Sequence, residues 1–156
     1  MVIEEFKEVY LIEILDLFYK TVHTINSKDY NKNQLDAWAI ENPDKKIWLN
    51  SLEKNVSYVA RENNKIVGFG DLNNEKYIDR LYVHEKYQRK RVASKILSVL
   101  EKEAKNLGYK EVYTEASITA KPFFLAKKYY VLKKQHKHHN GQVFINYIMK
   151  KDINNM

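Results

Sequence analysis

Leu81-Tyr82-Val83-His84-Glu85-Lys86-Tyr87-Gln88-Arg89-Lys90-Arg91-Val92-Ala93-Ser94 is the stretch that decides how this chain folds. Its first residues close a strand-like run, Tyr77–Val83. Its last residues open a helix, Val92–Leu107, with apolar positions at Val92, Ile96, Leu100, Ala104 and Leu107. Glu101 and Lys105 read as an i,i+4 ion pair on the solvent face of that helix. Gly108 stops it as a left-handed C-cap. The turn between strand and helix carries four cationic side chains, Lys86, Arg89, Lys90 and Arg91. A helix start presents unpaired backbone N–H groups and the positive end of the helix dipole. With those cations beside it, it suits a pyrophosphate.

Upstream, Val9, Ile12, Leu15, Phe18 and Val22 recur at helical steps and predict one apolar helix face, with a short strand, Val2–Phe6, before it. A second helix is expected over Gln34–Ile40. A third starts at Pro43, where the missing N–H costs nothing, and carries Ile47, Trp48 and Leu52. Val56–Arg61 and Ile66–Leu72 read as strands joined by an Asn63–Asn64 hairpin turn. Downstream, Val112–Ala116 is a strand and Pro122 opens a short helix, Phe123–Lys128. Val131–Lys137 and Val143–Met149 flank Asn140–Gly141, the strongest hairpin signal in the chain. The step from Tyr77 to Ala116 requires a parallel crossover. The predicted fold is therefore α/β (α+β): a mixed, mostly antiparallel sheet with helices on both faces.

The chain has 156 residues, 44% of them hydrophobic, which is the size and composition of one globular domain over 1–156. It has no cysteine, so disulfides and thiolate metal sites are excluded, and a cytoplasmic setting is expected. Met1–Lys7 is acidic where an export signal is basic, and Glu13, Asp16 and Lys20 interrupt the one long apolar stretch, so no membrane association is expected. The net charge of +7 fits an anionic partner or merely keeps the protein dispersed.

The basic turn resembles the signature of the GNAT superfamily, the GCN5-related N-acetyltransferases: Gln/Arg-x-x-Gly-x-Gly/Ala after a Leu-Tyr-Val strand. It stands here as Gln88-Arg89-Lys90-Arg91-Val92-Ala93. Downstream, Ser117-Ile118-Thr119-Ala120-Lys121-Pro122-Phe123-Phe124 is similar to the family's Asn-x-x-Ala-x-x-Phe-Tyr. Gly68–Leu72 with Tyr77–His84 and Thr114–Phe124 looks like a bacterial subgroup. The resemblance implies the acyl-CoA N-acyltransferase fold and acetyl-CoA as co-substrate, held by Leu81, Tyr82, Val83, Gln88 to Ser94, Ser117, Ala120, Phe123 and Phe124. Backbone N–H groups near Tyr82–Val83 would polarise the thioester carbonyl. A small amine would be the acceptor, met by His23, Tyr30 and Trp38 from the first two helices. A homodimer is a possible assembly in this family. Three positions depart from the pattern. Arg91 replaces the glycine that lets the backbone approach the phosphates without a Cβ. Ser117 replaces a frequent asparagine. Phe124 replaces the tyrosine that often protonates the leaving thiolate.

Direct attack by an amine needs a base to drain a proton from the incoming ammonium. Asp79 and Glu115 are the candidates. Strand alternation puts Asp79 on the face of Leu81 and Val83 unless a bulge intervenes, and Glu115 on the face of Ser117. Tyr129, Tyr130 and Tyr147 are weaker candidates for the acid. His136, His138 and His139 lie beside the last hairpin turn, where a solvated tip is a better reading than a metal site, so no metal is expected. The basic, aromatic Lys127–Lys137 segment lacks any nucleic-acid module signature, and no nucleic-acid partner is expected. Two readings compete with an N-acetyltransferase: a non-catalytic acyl-CoA binder or sensor, favoured by Arg91 and Phe124, and a basic nucleic-acid-binding domain.

Overall fold

A computed structural model describes residues 1–154. The elements follow the chain as β1 (Val2–Glu5), α1 (Leu11–Ile25), α2 (Lys32–Trp38), α3 (Lys45–Lys54), β2 (Val56–Glu62), β3 (Lys65–Leu72), β4 (Tyr77–Val83), α4 (Val92–Asn106), β5 (Glu111–Ser117), α5 (Lys121–Ala126), β6 (Tyr130–His139) and β7 (Gln142–Asp152). The strands form one seven-stranded sheet in the order β1-β2-β3-β4-β5-β7-β6. Every pairing is antiparallel except β4 with β5. Both tight hairpins turn through left-handed residues, Asn63 and Asn64 at φ 52° and 62°, Asn140 and Gly141 at 47° and 79°, the geometry that the right-handed twist of the flanking strands favours.

Two layers of core cover the sheet. Leu97, Leu100 and Ala104 of α4 and Phe124 of α5 pack with Val83, Val112 and Met149 on one face. Leu11, Ile14, Leu15 and Leu17 of α1 and Leu52 of α3 pack with Val59 and Phe69 on the other. The close seat of α4 depends on glycines in β3. A Cβ on Gly68 would stand 2.8 Å from Val92 Cγ1, and one on Gly70 would stand 3.0 Å from both Ile96 Cγ2 and the Arg80 carbonyl oxygen.

Four sequence expectations are corrected here. The buried face of α1 is Leu11, Ile14, Leu15, Leu17, Thr21 and Val22, while Val9 and Ile12 are exposed. A 15-residue amphipathic helix contains two overlapping apolar stripes, and packing against the sheet selects one. Pro43 precedes α3, whose N-cap is Asp44, its carboxylate accepting the N–H groups of Lys46 and Ile47; Ile47 points to solvent. Glu101 makes no surface pair with Lys105. It is buried on α4, accepts the Tyr129 hydroxyl at 2.7 Å and holds Lys151 Nζ at 3.0 Å through both oxygens, tying the end of β7 to the helix. Leu107, counted as a core position from its spacing, is exposed.

Candidate active site

The one parallel junction in the sheet opens the site. β4 and β5 pair only at Tyr77 with Tyr113 and Ile78 with Thr114, so their C-terminal halves leave the hydrogen-bonded ladder. A cleft of about 720 Å³ occupies the gap and runs from the start of α4 to an aromatic chamber beneath α1 and α3.

Backbone polarity in the gap follows from the register. His84 N–H donates to the Val67 carbonyl at 2.8 Å, and bonded pairs alternate along an antiparallel ladder. Tyr82 therefore bonds across to Phe69, its partner in register, and the amides of Leu81 and Val83 point away from β3 into the gap. The Val83 carbonyl is taken by Thr21 Oγ1 at 2.9 Å and Gln88 Nε2 at 2.8 Å. Gln88 thus pins the basic turn to the strand end. Of the two amides expected near the carbonyl, that of Tyr82 belongs to the ladder and that of Val83 is left open to the gap.

At the other end, α4 begins without a side-chain cap. Its N-cap residue, Arg91, sits in the left-handed region at φ 64°, ψ 17°, and Arg89 is also left-handed at φ 60°. Backbone of this kind turns successive amides to one side as an anion-binding concavity. Arg89, Arg91, Val92, Ala93 and Ser94 all line the cleft. Lys90 does not; its Nζ lies 5.2 Å from the Tyr87 ring centroid. Across the gap, Ser117, Ala120, Phe123 and Phe124 line the wall. Ser117 Oγ accepts the Ala120 N–H at 3.0 Å, which leaves its own hydrogen free to donate.

The candidate carboxylates differ in surroundings. A register shift between Asp71 and Leu72 pairs Asp71 with Arg80 and Leu72 with Ile78, so Asp79 is the extra residue of a bulge. The bulge overturns plain alternation: the charges around Asp79 belong to Asp71, Arg80, Glu115 and Lys137, away from α4. Asp79 makes no hydrogen bond or ion pair to the described residues. Asp79 is exposed on β4; partial desolvation of its carboxyl by the cleft wall, then the charge of Asp71, raises its pKa above the usual carboxylate value, with a further push from Glu115. Glu115 is already engaged, accepting Gln135 Nε2 at 3.1 Å and pairing with Lys137.

Of the expected amine contacts, Tyr30 and Trp38 line the cleft and His23 does not. The His23 Nε2–H donates to the Ala39 carbonyl at 2.9 Å while the ring stacks on Tyr19, a clasp between α1 and the end of α2. The Tyr30 hydroxyl is engaged on both sides, donating to the Ile145 carbonyl at 2.7 Å and accepting the Ile118 N–H at 2.9 Å. Trp38 donates its indole N–H to Tyr82 Oη at 3.2 Å. The sequence did not point to Phe18, Trp48, Phe144, Arg80, Lys137 or Asn146, all of which line the chamber. Arg80 lies 4.7 Å from the Trp48 ring centroid and donates to Asp71 at 3.0 Å and to Ser51 at 2.7 Å. Tyr129, Tyr130 and Tyr147 do not line the cleft. Tyr129 is buried against Glu101, and burial with that charge pushes its hydroxyl pKa strongly upward. Among the described residues, no group of three or more His, Asp or Glu is placed to hold a metal ion, and no helix is long and apolar enough to cross a membrane.

A mixed sheet split after its single parallel junction, with an uncapped helix start facing the split, is the acyl-CoA N-acyltransferase architecture. Residues 26–151 match the acetyltransferase (GNAT) domain family; the chain belongs to that family and is an N-acetyltransferase. It is 35% identical over 138 residues to the uncharacterized N-acetyltransferase YafP of Escherichia coli K12, a match covering 88% of this chain and 87% of that protein. It is similar, at 25% identity and a TM-score of 0.94, to the crystal structure of a GCN5-related N-acetyltransferase from Rhodopseudomonas palustris, over 97% of this chain and 94% of that one. The fold also matches a putative acetyltransferase from Salmonella typhimurium with its cofactor acetyl-CoA, at 16% identity and a TM-score of 0.75, over all of this chain and 95% of that one.

Proposed function

We propose that the protein transfers the acetyl group of acetyl-CoA directly to the amine of a small molecule. The observation that carries the reading is the continuity of one cleft from the uncapped α4 start, through the β4/β5 gap, to an aromatic chamber holding an unpaired carboxylate. The amides of Val92, Ala93 and Ser94, with Arg89 and Arg91 beside them, suit the diphosphate. Ser117 and the gap-facing Leu81 and Val83 backbone suit the pantetheine arm. The same reading sets the enzyme in the reducing cytoplasm, consistent with a chain free of cysteine.

When bound, acetyl-CoA supplies an acetyl thioester: a bond forms from the amine nitrogen to its carbonyl carbon, the C–S bond breaks, and the sulfur leaves with the electron pair. The Val83 N–H donates to the carbonyl oxygen, where negative charge develops. Asp79 takes the proton that the ammonium must lose. It is preferred to Glu115 because the Glu115 oxygens are already taken by Lys137 and Gln135. The departing thiolate takes its proton from solvent, since Phe124 has none to give.

Calorimetric titration with CoA and thiol release on mixing with amines test the proposal. Absence of CoA binding would overturn it. Binding without thiol release from any amine would favour a non-catalytic acyl-CoA binder, the reading that Phe124, 3% exposed and ringed by Phe123 and Tyr129, supports.

A further inference from the structure

We infer that the acceptor is a monoamine carried on a flat apolar body, an arylalkylamine in chemical class, rather than a polyamine or an amino acid. The inference rests on the acetyl-transfer reading and specifies its acceptor end. Three observations carry it.

The first is the wall. Phe18, Trp48 and Tyr82 meet edge to face, with Phe18 4.9 Å by centroid from each of the other two. Trp38 continues the surface towards Phe144 at 6.1 Å. Both tryptophans of the chain line this chamber. Trp48 is held by Arg80 stacked against its ring, and Arg80 by Asp71 and Ser51, so the surface is preorganised. Such a chamber binds a planar apolar group by burial and edge contacts.

The second is the charge balance. The cleft is lined by two carboxylates, Asp79 and Glu115. Glu115 is neutralised by Lys137, and the Arg80 charge by Asp71. One anion, Asp79, is left for one ammonium. A second ammonium would find no free carboxylate there. A substrate carboxylate would find no free cation, since Arg89 and Arg91 stand at the α4 end of the cleft.

The third is an acceptor atom without a donor. Asn146 Oδ1 is buried and has no hydrogen-bond partner among the described residues, and Asn146 lines the cleft opposite Ser117 in register. A buried unpaired carbonyl is costly. An amine N–H reaching it satisfies it, and this second polar contact fixes the nitrogen while the ring lies against the aromatic wall.

The test uses the wild-type protein and four amines with acetyl-CoA: 2-phenylethylamine, butylamine, 1,4-diaminobutane and L-phenylalanine. Thiol release gives kcat/KM, and tryptophan emission reports binding because both tryptophans flank the chamber. Burial of a phenyl ring predicts a preference of about 10-fold or more for 2-phenylethylamine over butylamine. An unpaired second charge predicts about 100-fold or more over 1,4-diaminobutane and L-phenylalanine. Trp48→Leu should collapse the ratio of 2-phenylethylamine to butylamine. Turnover of the diamine or the amino acid at rates matching or exceeding the aryl amine would overturn the inference, as would emission that the aryl amine leaves unchanged. If acetyl-CoA binds but no amine releases thiol, the transfer reading fails, and the order of amine binding read from tryptophan emission still decides the acceptor class.

Discussion

Replacing Arg91 by glycine separates two roles that this position combines. Arg91 is exposed and left-handed, φ 64° and ψ 17°, and its side chain caps nothing. Left-handed backbone costs a residue with a Cβ about 1–2 kcal/mol. Glycine avoids that strain, but its freer unfolded chain returns about 0.5–1 kcal/mol. The net expectation is a gain of about 0.5–1 kcal/mol, which for a chain of this size raises Tm by about 1–4 °C. Binding sets two further effects against each other. Loss of an exposed cation near the diphosphate weakens affinity by at most about 1 kcal/mol and less in salt. Removal of the Cβ lets the phosphates reach the helix amides, and hydrogen bonds to charged groups contribute about 1.5–3 kcal/mol each. The backbone effect is the larger, so Arg91→Gly should bind acetyl-CoA more tightly, with the advantage growing as salt is raised. Arg91→Ala keeps the strain and loses the charge, so it should bind more weakly and melt no higher than wild type. Differential scanning calorimetry and titration calorimetry at two salt concentrations read both. A glycine variant melting at or below wild type, or binding acetyl-CoA no tighter, would refute the argument.

Asp79→Asn should lower kcat by about 100-fold or more while leaving the KM for acetyl-CoA unchanged. Because the folded state raises the Asp79 pKa, the stability this group contributes is present below its unfolded pKa and is lost as pH rises through its folded pKa. The asparagine variant should therefore melt above wild type at neutral pH, with the difference closing on acidification, and the acidic limb of the wild-type kcat/KM profile should fall above the usual carboxylate range. Glu101→Gln leaves Lys151 without its buried partner and should cost about 3 kcal/mol in urea denaturation. Gly70→Ala forces a Cβ to within 3.0 Å of the Arg80 carbonyl and should destabilise by about 1–3 kcal/mol. It should also disturb kinetics, because that carbonyl belongs to the strand carrying Asp79.

What the sequence revealed and what it hid divide along a physical line. Local signals were legible. Tyr77–Val83 reads as a strand to the residue, the two Asn-containing hairpins as turns, and Val92 as the start of α4, because each depends on neighbours within a few positions. The chamber was legible only at Tyr30 and Trp38, which line it as expected; its other aromatics were hidden. Phe18, Trp48 and Phe144 come from α1, α3 and β7, and an aromatic at helical or strand spacing looks the same whether it faces a core or a ligand. Charge pairing was equally hidden. Glu101 with Lys105 has ideal helical spacing, yet Glu101 reaches Lys151, 50 residues away. Asp79 was recognised as a candidate, but whether it faces α4 or the acceptor depends on one extra residue in β4, and a bulge leaves no mark in the sequence when neither residue is glycine. The same bulge sets Asp79 towards the charges of Glu115 and Lys137 while Leu81 and Val83 keep to the α4 face. Straightening the strand would return Asp79 to that face, so the proposed base is positioned by an irregularity of the backbone.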